Sequence, residues 1–291
     1  MLRNAFAYIT RKWPKSLLLF AIILLMGTLS LIGLSMKGAT QKASSESLGS
    51  ITNSFSMQIN RRTNPGTPRG AGNLRGEDIE KISQVEGITS SIKRINAIAD
   101  ILDHEIIETE ETLQNQSPER AKHFKNTLMV TGVNDSSKED KFVSGAYKLV
   151  QGEHLTDKDK NQILMHEDLA KKNGLKVGDK VRLKSNLYDA DNEKGANETV
   201  EVTIKGLFSG KNQAPLTYAQ ELYEDTLISD LDTAARLYGN TVQTATYEDA
   251  TFFAKGDQDL DQLIEKIKAL DIPWNYFDLV KSSSNYPALQ K

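Results

Sequence analysis

The sequence predicts an α+β protein held at a membrane by one N-terminal transmembrane helix, with the rest of the chain folded outside the cytoplasm. Three observations carry this reading. Residues 17–36 (LLLFAIILLMGTLSLIGLSM) form an uncharged stretch of twenty residues, twelve of them Leu, Ile or Phe. Basic residues crowd the side that precedes it. Beyond residue 50, short runs with the period of a strand alternate with short amphipathic helices, the pattern of strands and helices sharing one core.

As a helix rising about 1.5 Å per residue, 17–36 is about 30 Å long and spans a bilayer's hydrocarbon core. Its Leu, Ile and Phe residues contribute about −4 to −7 kcal/mol to insertion, more than Thr28, Ser30 and the glycines subtract. The preceding sixteen residues carry Arg3, Arg11, Lys12 and Lys15 and no acid, while residues 37–51 carry Lys37, Lys42 and Glu46. This basic excess places the N-terminus in the cytoplasm and residues 37–291 outside. A cleaved signal peptide would have a shorter apolar core ending in an A-x-A-like site, and Gly38-Ala39 is a poor match. Leu2, Ala5, Phe6, Ile9 and Trp13 fall on one face of a helix, with Arg3, Asn4, Arg11 and Lys12 opposite. Residues 1–16 therefore read as an amphipathic elbow lying in the cytoplasmic headgroup layer, separated from the spanning helix by Pro14. The small residues Gly27, Ser30 and Gly33 would form a close-packing face beside further spanning helices, and in an isolated anchor would simply face lipid.

Composition narrows the partners. The chain carries −3; setting aside the +4 of residues 1–16 leaves −7 on residues 37–291, which argues against nucleic acid as partner, since phosphate binding needs a basic surface. There is no cysteine, so neither disulfides nor thiolate chemistry nor lipoprotein acylation is available. A disulfide-free exported domain suits a Gram-positive bacterium.

Along the outer domain, 37–50 is a small-residue polar stalk. Residues 51–62 alternate through Phe55, Met57 and Ile59 as a half-buried strand, and 64–76 (NPGTPRGAGNLRG) is a loop. A helix over 77–85, one or two strands over 88–102, a polar and partly helical excursion over 103–125 and a buried strand over 127–133 follow. The turn-rich 135–140 marks a boundary. Next come a strand at 162–165, a helix at 166–173 stopped by Asn173-Gly174, a strand at 180–184, a polar loop at 187–197 and a strand at 198–207. Strand 225–229, helix 230–238, strand 250–255, amphipathic helix 259–269 through Leu260, Leu263, Ile264 and Ile267, and strand 275–280 complete the chain.

No catalytic constellation emerges. Gly70, Gly72 and Gly76 have the spacing G-x-G-x-x-x-G, one residue too long for a dinucleotide loop. Gly206 to Asn212 (GLFSGKN) has three residues between its glycines where a P-loop needs four, and Asn212 stands where Ser or Thr binds Mg²⁺. Asp189, Asp191 and Glu193 begin like a calcium loop, but Lys194 replaces the sixth-position glycine and Val200 the twelfth-position Glu. His104 with Glu108, and His154, His166, Glu167 and Asp168, do not complete a metal-hydrolase motif. No metal or cofactor is expected in this chain.

The segments ILMHEDLAKKNGLKVGDKVRL (163–183), VTIKGLF (202–208) and LISDLDTAARLYG (227–239), with helix 260–270 before a last strand, resemble the extracytoplasmic domain of MacB-type (FtsX-like) ABC transporter permeases. SFSMQINRR (54–62) and NDSSKEDKFVSGAYKLVQGEHL (134–155) resemble the streptococcal Vex-type members most. The resemblance covers nearly the whole chain and rests on packing motifs. It implies a two-lobed MacB-like domain: a membrane-proximal subdomain made of 37–134 and 226–291, and an inserted β-rich subdomain over 135–225. It also implies three further spanning helices after the outer domain, so a chain ending at Lys291 is expected to be truncated. The implied function is the permease subunit of a transporter in the cell membrane that exports a peptide or amphipathic compound. A separate cytoplasmic ATPase would hold ATP and Mg²⁺, and a second permease subunit and membrane lipid would be the other partners. The alternatives are a single-pass anchored sensor or interaction module and, with no site to support it, an anchored hydrolase.

Overall fold

The computed structural model describes residues 53–281 except 214, 215, 217, 218 and 257. Strand β1 (Ser54–Ile59) follows from alternation: Phe55 and Met57 are buried and Ile59 half-buried. It pairs antiparallel with β11 (Asp249–Ala254) on one side and β12 (Phe277–Lys281) on the other. Phe55 stands opposite Phe252, and their rings stack with centroids 5.3 Å apart. β11 in turn pairs with the first half of β3 (Ile88–Leu102), giving the order β12-β1-β11-β3. Helix α1 (Gly76–Ser83) connects β1 to β3, and α7 (Leu260–Lys268) connects β11 to β12. α1 buries Ile79 and Ile82, and α7 buries Leu263, Ile264 and Ile267. A β-α-β followed by a second β-α-β in this strand order is a split βαβ, here an open sheet.

Everything between β3 and β11 is inserted into that unit, and β3 is the hinge of the insertion. Its residues Arg94–Asp100 pair with β4 (Thr127–Val133), and Ala99–Leu102 pair with β7 (Lys180–Ser185). β4 runs parallel to β9 (Thr226–Asp230); β9 pairs with β6 (Gln162–His166), β6 with β8 (Thr199–Ser209), and β8 with β7, which returns to β3. Six strands thus close on themselves, leaving β5 (Lys148–Gly152) as an outer strand on β8. A short ladder joins β2 (Leu74–Arg75) to β10 (Thr246–Tyr247).

Period two dictates the inside of the ring. Ala97, Ala99 and Ile101 of β3 meet Val130, Leu128 and Leu183 across the ladders, and Val181, Val202, Ile204, Ile163, Met165 and Leu227 continue the same layer. The other face of β4, β6, β8 and β9 is also covered. Val133, Leu164, Phe208 and Ile228 form a second, smaller cluster with Tyr147 and Leu155. Strands buried on both faces read as apolar runs, which is why TLMVTGV and QILMH show little alternation.

The remaining helices are short: α2 (Glu110–Gln114), α3 (Pro118–His123), α4 (Asp140–Val143), α5 (Glu167–Lys172) and α6 (Leu231–Arg236). Caps explain their starts. The Asp230 carboxylate accepts from Thr233 N at 3.0 Å and Thr233 Oγ1 at 2.7 Å, and also from Gln162 N at 3.0 Å, tying α6 to β6. The helix stop expected at Asn173-Gly174 is present, with Gly174 at φ +64°.

The mixed strand and helix class agrees with the sequence, as does the strand–helix–strand–strand order of 162–208. β5 and the β2–β10 ladder were not expected, and the loop foreseen over 64–76 ends in β2 and the start of α1. The positions 135 and 225 fall just after β4 and just before β9, and those two strands hydrogen-bond to each other, so the sheet is continuous across both positions. The spanning helix, elbow and packing face expected over 1–36 lie outside the described residues. Among the described residues no helix is long and apolar enough to cross a membrane.

Candidate functional site at the seam of sheet and ring

Two lookalike motifs of the sequence meet each other at the seam. The glycine loop after β1 carries Arg69, whose Nε lies 2.9 Å from Asp189 Oδ1 and whose terminal nitrogen lies 2.9 Å from Asp191 Oδ2. Arg69 also donates to Tyr238 Oη at 3.0 Å, and its backbone N donates to Asp191 Oδ1 at 3.0 Å. Thr67 Oγ1 donates to Asp191 Oδ2 at 3.1 Å. Tyr238 donates to Asp189 and accepts from Ile98 N of β3. Two of the three carboxylates that suggested a calcium loop, Asp189 and Asp191, are therefore occupied by a side-chain cation and almost fully buried, while Glu193 is exposed. Burial pushes Asp189 above the usual carboxylate range despite the Tyr238 hydrogen bond and Arg69. Burial opposes the charge of Arg69, yet Tyr238, Asp189 and Asp191 together hold its pKa above the ordinary value.

The glycines of this loop serve close approach. A Cβ at Gly72 would lie 2.5 Å from Glu248 Cα, and one at Gly76 would lie 2.3 Å from Val242 O. Gly72 N donates to Glu248 Oε2 at 2.7 Å. Of the three glycines that superficially suggested a nucleotide loop, Gly72 and Gly76 are required by packing against 242–248, and Gly70 by its turn at φ +80°.

The second cluster sits where β3 passes from the open sheet to the ring. Arg94 is the residue opposite both Asp249 of β11 and Val133 of β4. Its guanidinium pairs with Asp249 and lies 3.4 Å from Asp140 Oδ2 and 4.0 Å from Glu139 Oε1. Arg94 Nε is buried without a partner. Burial raises Asp249 to about 6, against the pull of Arg94, and raises Glu139 as well. Beside it the Lys141 ammonium, lowered by burial, lies over the Tyr147 and Tyr223 rings at 5.1 and 4.9 Å.

His166 and His154 make local hydrogen bonds. Buried His166 caps α5: Nδ1 accepts from Asp168 N at 3.1 Å, so Nε2 carries the proton and donates to Gly210 O at 2.8 Å. His154 Nδ1 is 2.9 Å from Ser136 Oγ. The GLFSGKN stretch is the end of β8, where a Cβ at Gly206 would lie 2.9 Å from Gln151 O. Among the described residues no group of three or more His, Cys, Asp or Glu could hold a metal ion. The residues singled out for the elbow (Leu2, Phe6, Ile9, Trp13), for orientation (Arg3, Arg11, Lys12, Lys15) and for helix packing (Gly27, Ser30, Gly33) lie outside the described residues. Sequence reasoning missed Arg69, Arg94, Tyr238 and Asp249. Their partners lie far along the chain, Arg69 and Asp191 being 122 residues apart, and no local spacing signals such a pair.

The family described as MacB-like periplasmic core domain matches residues 16–270. No curated protein matches the chain. Among solved structures, the periplasmic region of MacB from Actinobacillus actinomycetemcomitans is similar at 16% identity and a TM-score of 0.45, over 84% of this chain and 95% of that one. The extracellular domain of the noncanonic ABC-type transporter YknZ from Gram-positive bacteria is similar at 13% identity and a TM-score of 0.38, over 74% of this chain and 88% of that one.

Proposed function

The chain belongs to the MacB-like periplasmic core domain family, and from that premise we infer that it is the anchor and extracytoplasmic domain of an ABC transporter permease. The observation that carries the reading is the family match over 16–270, which runs from the edge of the apolar stretch through α7. The protein sits in the cell membrane of a Gram-positive bacterium, with residues 1–16 cytoplasmic and 37–291 outside. Leu2, Phe6, Ile9 and Trp13 seat the elbow in lipid, Arg3, Arg11, Lys12 and Lys15 fix its orientation, and Gly27, Ser30 and Gly33 pack against other spanning helices. A separate cytoplasmic ATPase binds ATP and Mg²⁺, and a second permease subunit, identical or not, completes the transporter. The cargo is a peptide or an amphipathic compound moving outward, as the resemblance to MacB-type permeases implies. The membrane-proximal lobe is built on the open sheet of β1, β3, β11 and β12, and the inserted lobe is the ring between β3 and β11, so its bounds lie outside the expected 135 and 225.

One feature of the fold supports mechanical coupling. Phe55 of β1 pairs with Lys281 of β12, so the chain enters and leaves the open sheet on neighbouring strands. A displacement of the spanning helix would act on that strand pair and reach the ring through β3. The test is co-expression of the full protein with the ATPase encoded beside it. The reading expects co-purification and stimulated ATP hydrolysis, together with activity from an extracytoplasmic-only reporter fused after Met36. No stimulation of any neighbouring ATPase rejects the transporter and leaves a single-pass sensor module, and an inactive reporter overturns the orientation on which both readings rest.

A further inference from the structure

Beside the continuous strand β3, the open sheet reaches the ring through the loop that follows β1. We propose that Arg69 is the bolt of a latch. When it is seated on Asp189, Asp191 and Tyr238, the β1 loop and the ring move as one body; when it is withdrawn, that loop and the 186–198 connection separate while β3 still joins the two parts. The latch rests on the residues of this chain, and only its role in coupling rests on the permease reading.

The two ends of the latch differ in a way that suits a bolt and a keeper. The keeper is fixed: Asp189 and Asp191 are almost fully buried in the connection between β7 and β8, and Tyr238 is buried at the end of α6 and hydrogen-bonded to β3. Asn186 and Asn192 hold the keeper loop, with Asn192 Nδ2 donating to Asn186 O at 3.0 Å and to Ala196 O at 2.8 Å. The bolt is on a loop, and a third of its side chain reaches water. Elsewhere that loop is bonded to the open-sheet side: Thr63 to Asn275, and Gly72 to Glu248. Among the described residues the only cation paired with Asp189 or Asp191 is Arg69. Withdrawal therefore leaves two buried carboxylates without a counter-charge, which disfavours the withdrawn position and holds the bolt seated. The loop follows β1 along the chain and Arg69 lies ten residues past Ile59, so a displacement of β1 reaches the bolt through one short segment.

Hydrogen exchange on the full chain, comparing wild type with Arg69→Met, Arg69→Lys and Arg61→Met, tests the latch. Arg69→Met is expected to speed exchange about tenfold or more in 64–72 and 186–198, leaving β1, β11 and β12 unchanged. Arg69→Lys falls between, because an ammonium lacks the planar fork that bridges two carboxylates. Arg61→Met, which removes a bond to Gly70 O within the loop, leaves 186–198 unchanged. If Arg69→Met prevents folding, Asp191→Asn keeps the Asp189 leg while removing the charge at 191 and one acceptor oxygen shared by Arg69 and Thr67, and is expected to speed the same two segments by less. Unchanged exchange in 186–198, or equal acceleration in β12, overturns the latch. In the assembled transporter, Arg69→Met is expected to lower transport several-fold at unchanged ATP hydrolysis; normal transport with released loops overturns the coupling role. Failure of the permease reading would show separately, as wild-type protein that stimulates no ATPase.

Discussion

Asp249→Asn should stabilise the protein at neutral pH, and the gain should vanish in acid. Asp249 titrates at about 6 in the fold against an ordinary 3.8, because burial at the β3–β11 ladder outweighs the Arg94 guanidinium. Between about pH 4 and 6 the folded protein holds a proton there that the unfolded chain has released, so stability falls as pH rises through that window and is flat above it. For a fully buried carboxyl the difference would amount to about 3 kcal/mol at 1.36 kcal/mol per pH unit. The Asp249 side chain is 32% exposed, and solvent screening reduces the expected gain to about 1 kcal/mol. Asn reproduces the protonated form, so the variant should exceed wild type by about that amount at pH 7.5 and match it near pH 4. Glu139, Asp140, Glu248 and Lys141 surround the site in both proteins and drop out of the comparison to first order. Urea unfolding followed by tryptophan fluorescence, with Trp13 replaced by Phe so that Trp274 alone reports, measures it from pH 4 to 8. A variant less stable than wild type at pH 7.5, or a gap independent of pH, would refute the reasoning and make the Arg94–Asp249 pair a net stabiliser.

Two further outcomes follow from the packing of the ring and the loop. Asp230→Ala removes a buried cap that serves Thr233 and Gln162 together and should cost about 2–4 kcal/mol, read as a lowered urea midpoint at unchanged slope. Gly72→Ala forces a Cβ onto the Glu248 backbone and should cost about 1–3 kcal/mol, read in the same assay; a neutral result would show that the loop can lift away from 242–248 at no cost.

Periodicity made much of the fold legible. Phe55 and Met57 alternate because β1 has one buried face, and Leu263, Ile264 and Ile267 recur at helical spacing because α7 covers that sheet. β5 was invisible because four of its five residues are exposed or polar, and an outer strand on β8 needs no apolar face to form its ladder. The glycine loop and the acidic loop were each legible as unusual, and each was compared with a ligand-binding motif. Neither comparison contained the other loop, because an ion pair across 122 residues leaves no mark on local spacing.

By itself the sequence determined the local elements and the family that the chain resembles. Hydrophobic period, caps and turn glycines act over a few residues and are written where they act. Only the tertiary structure decided that β3 serves both an open sheet and a closed ring, that Arg94 stands at the changeover, and that Arg69 fills the place between Asp189 and Asp191. Those facts depend on which distant strands share a ladder. That choice is made by the summed burial of the whole core and cannot be read from any one segment.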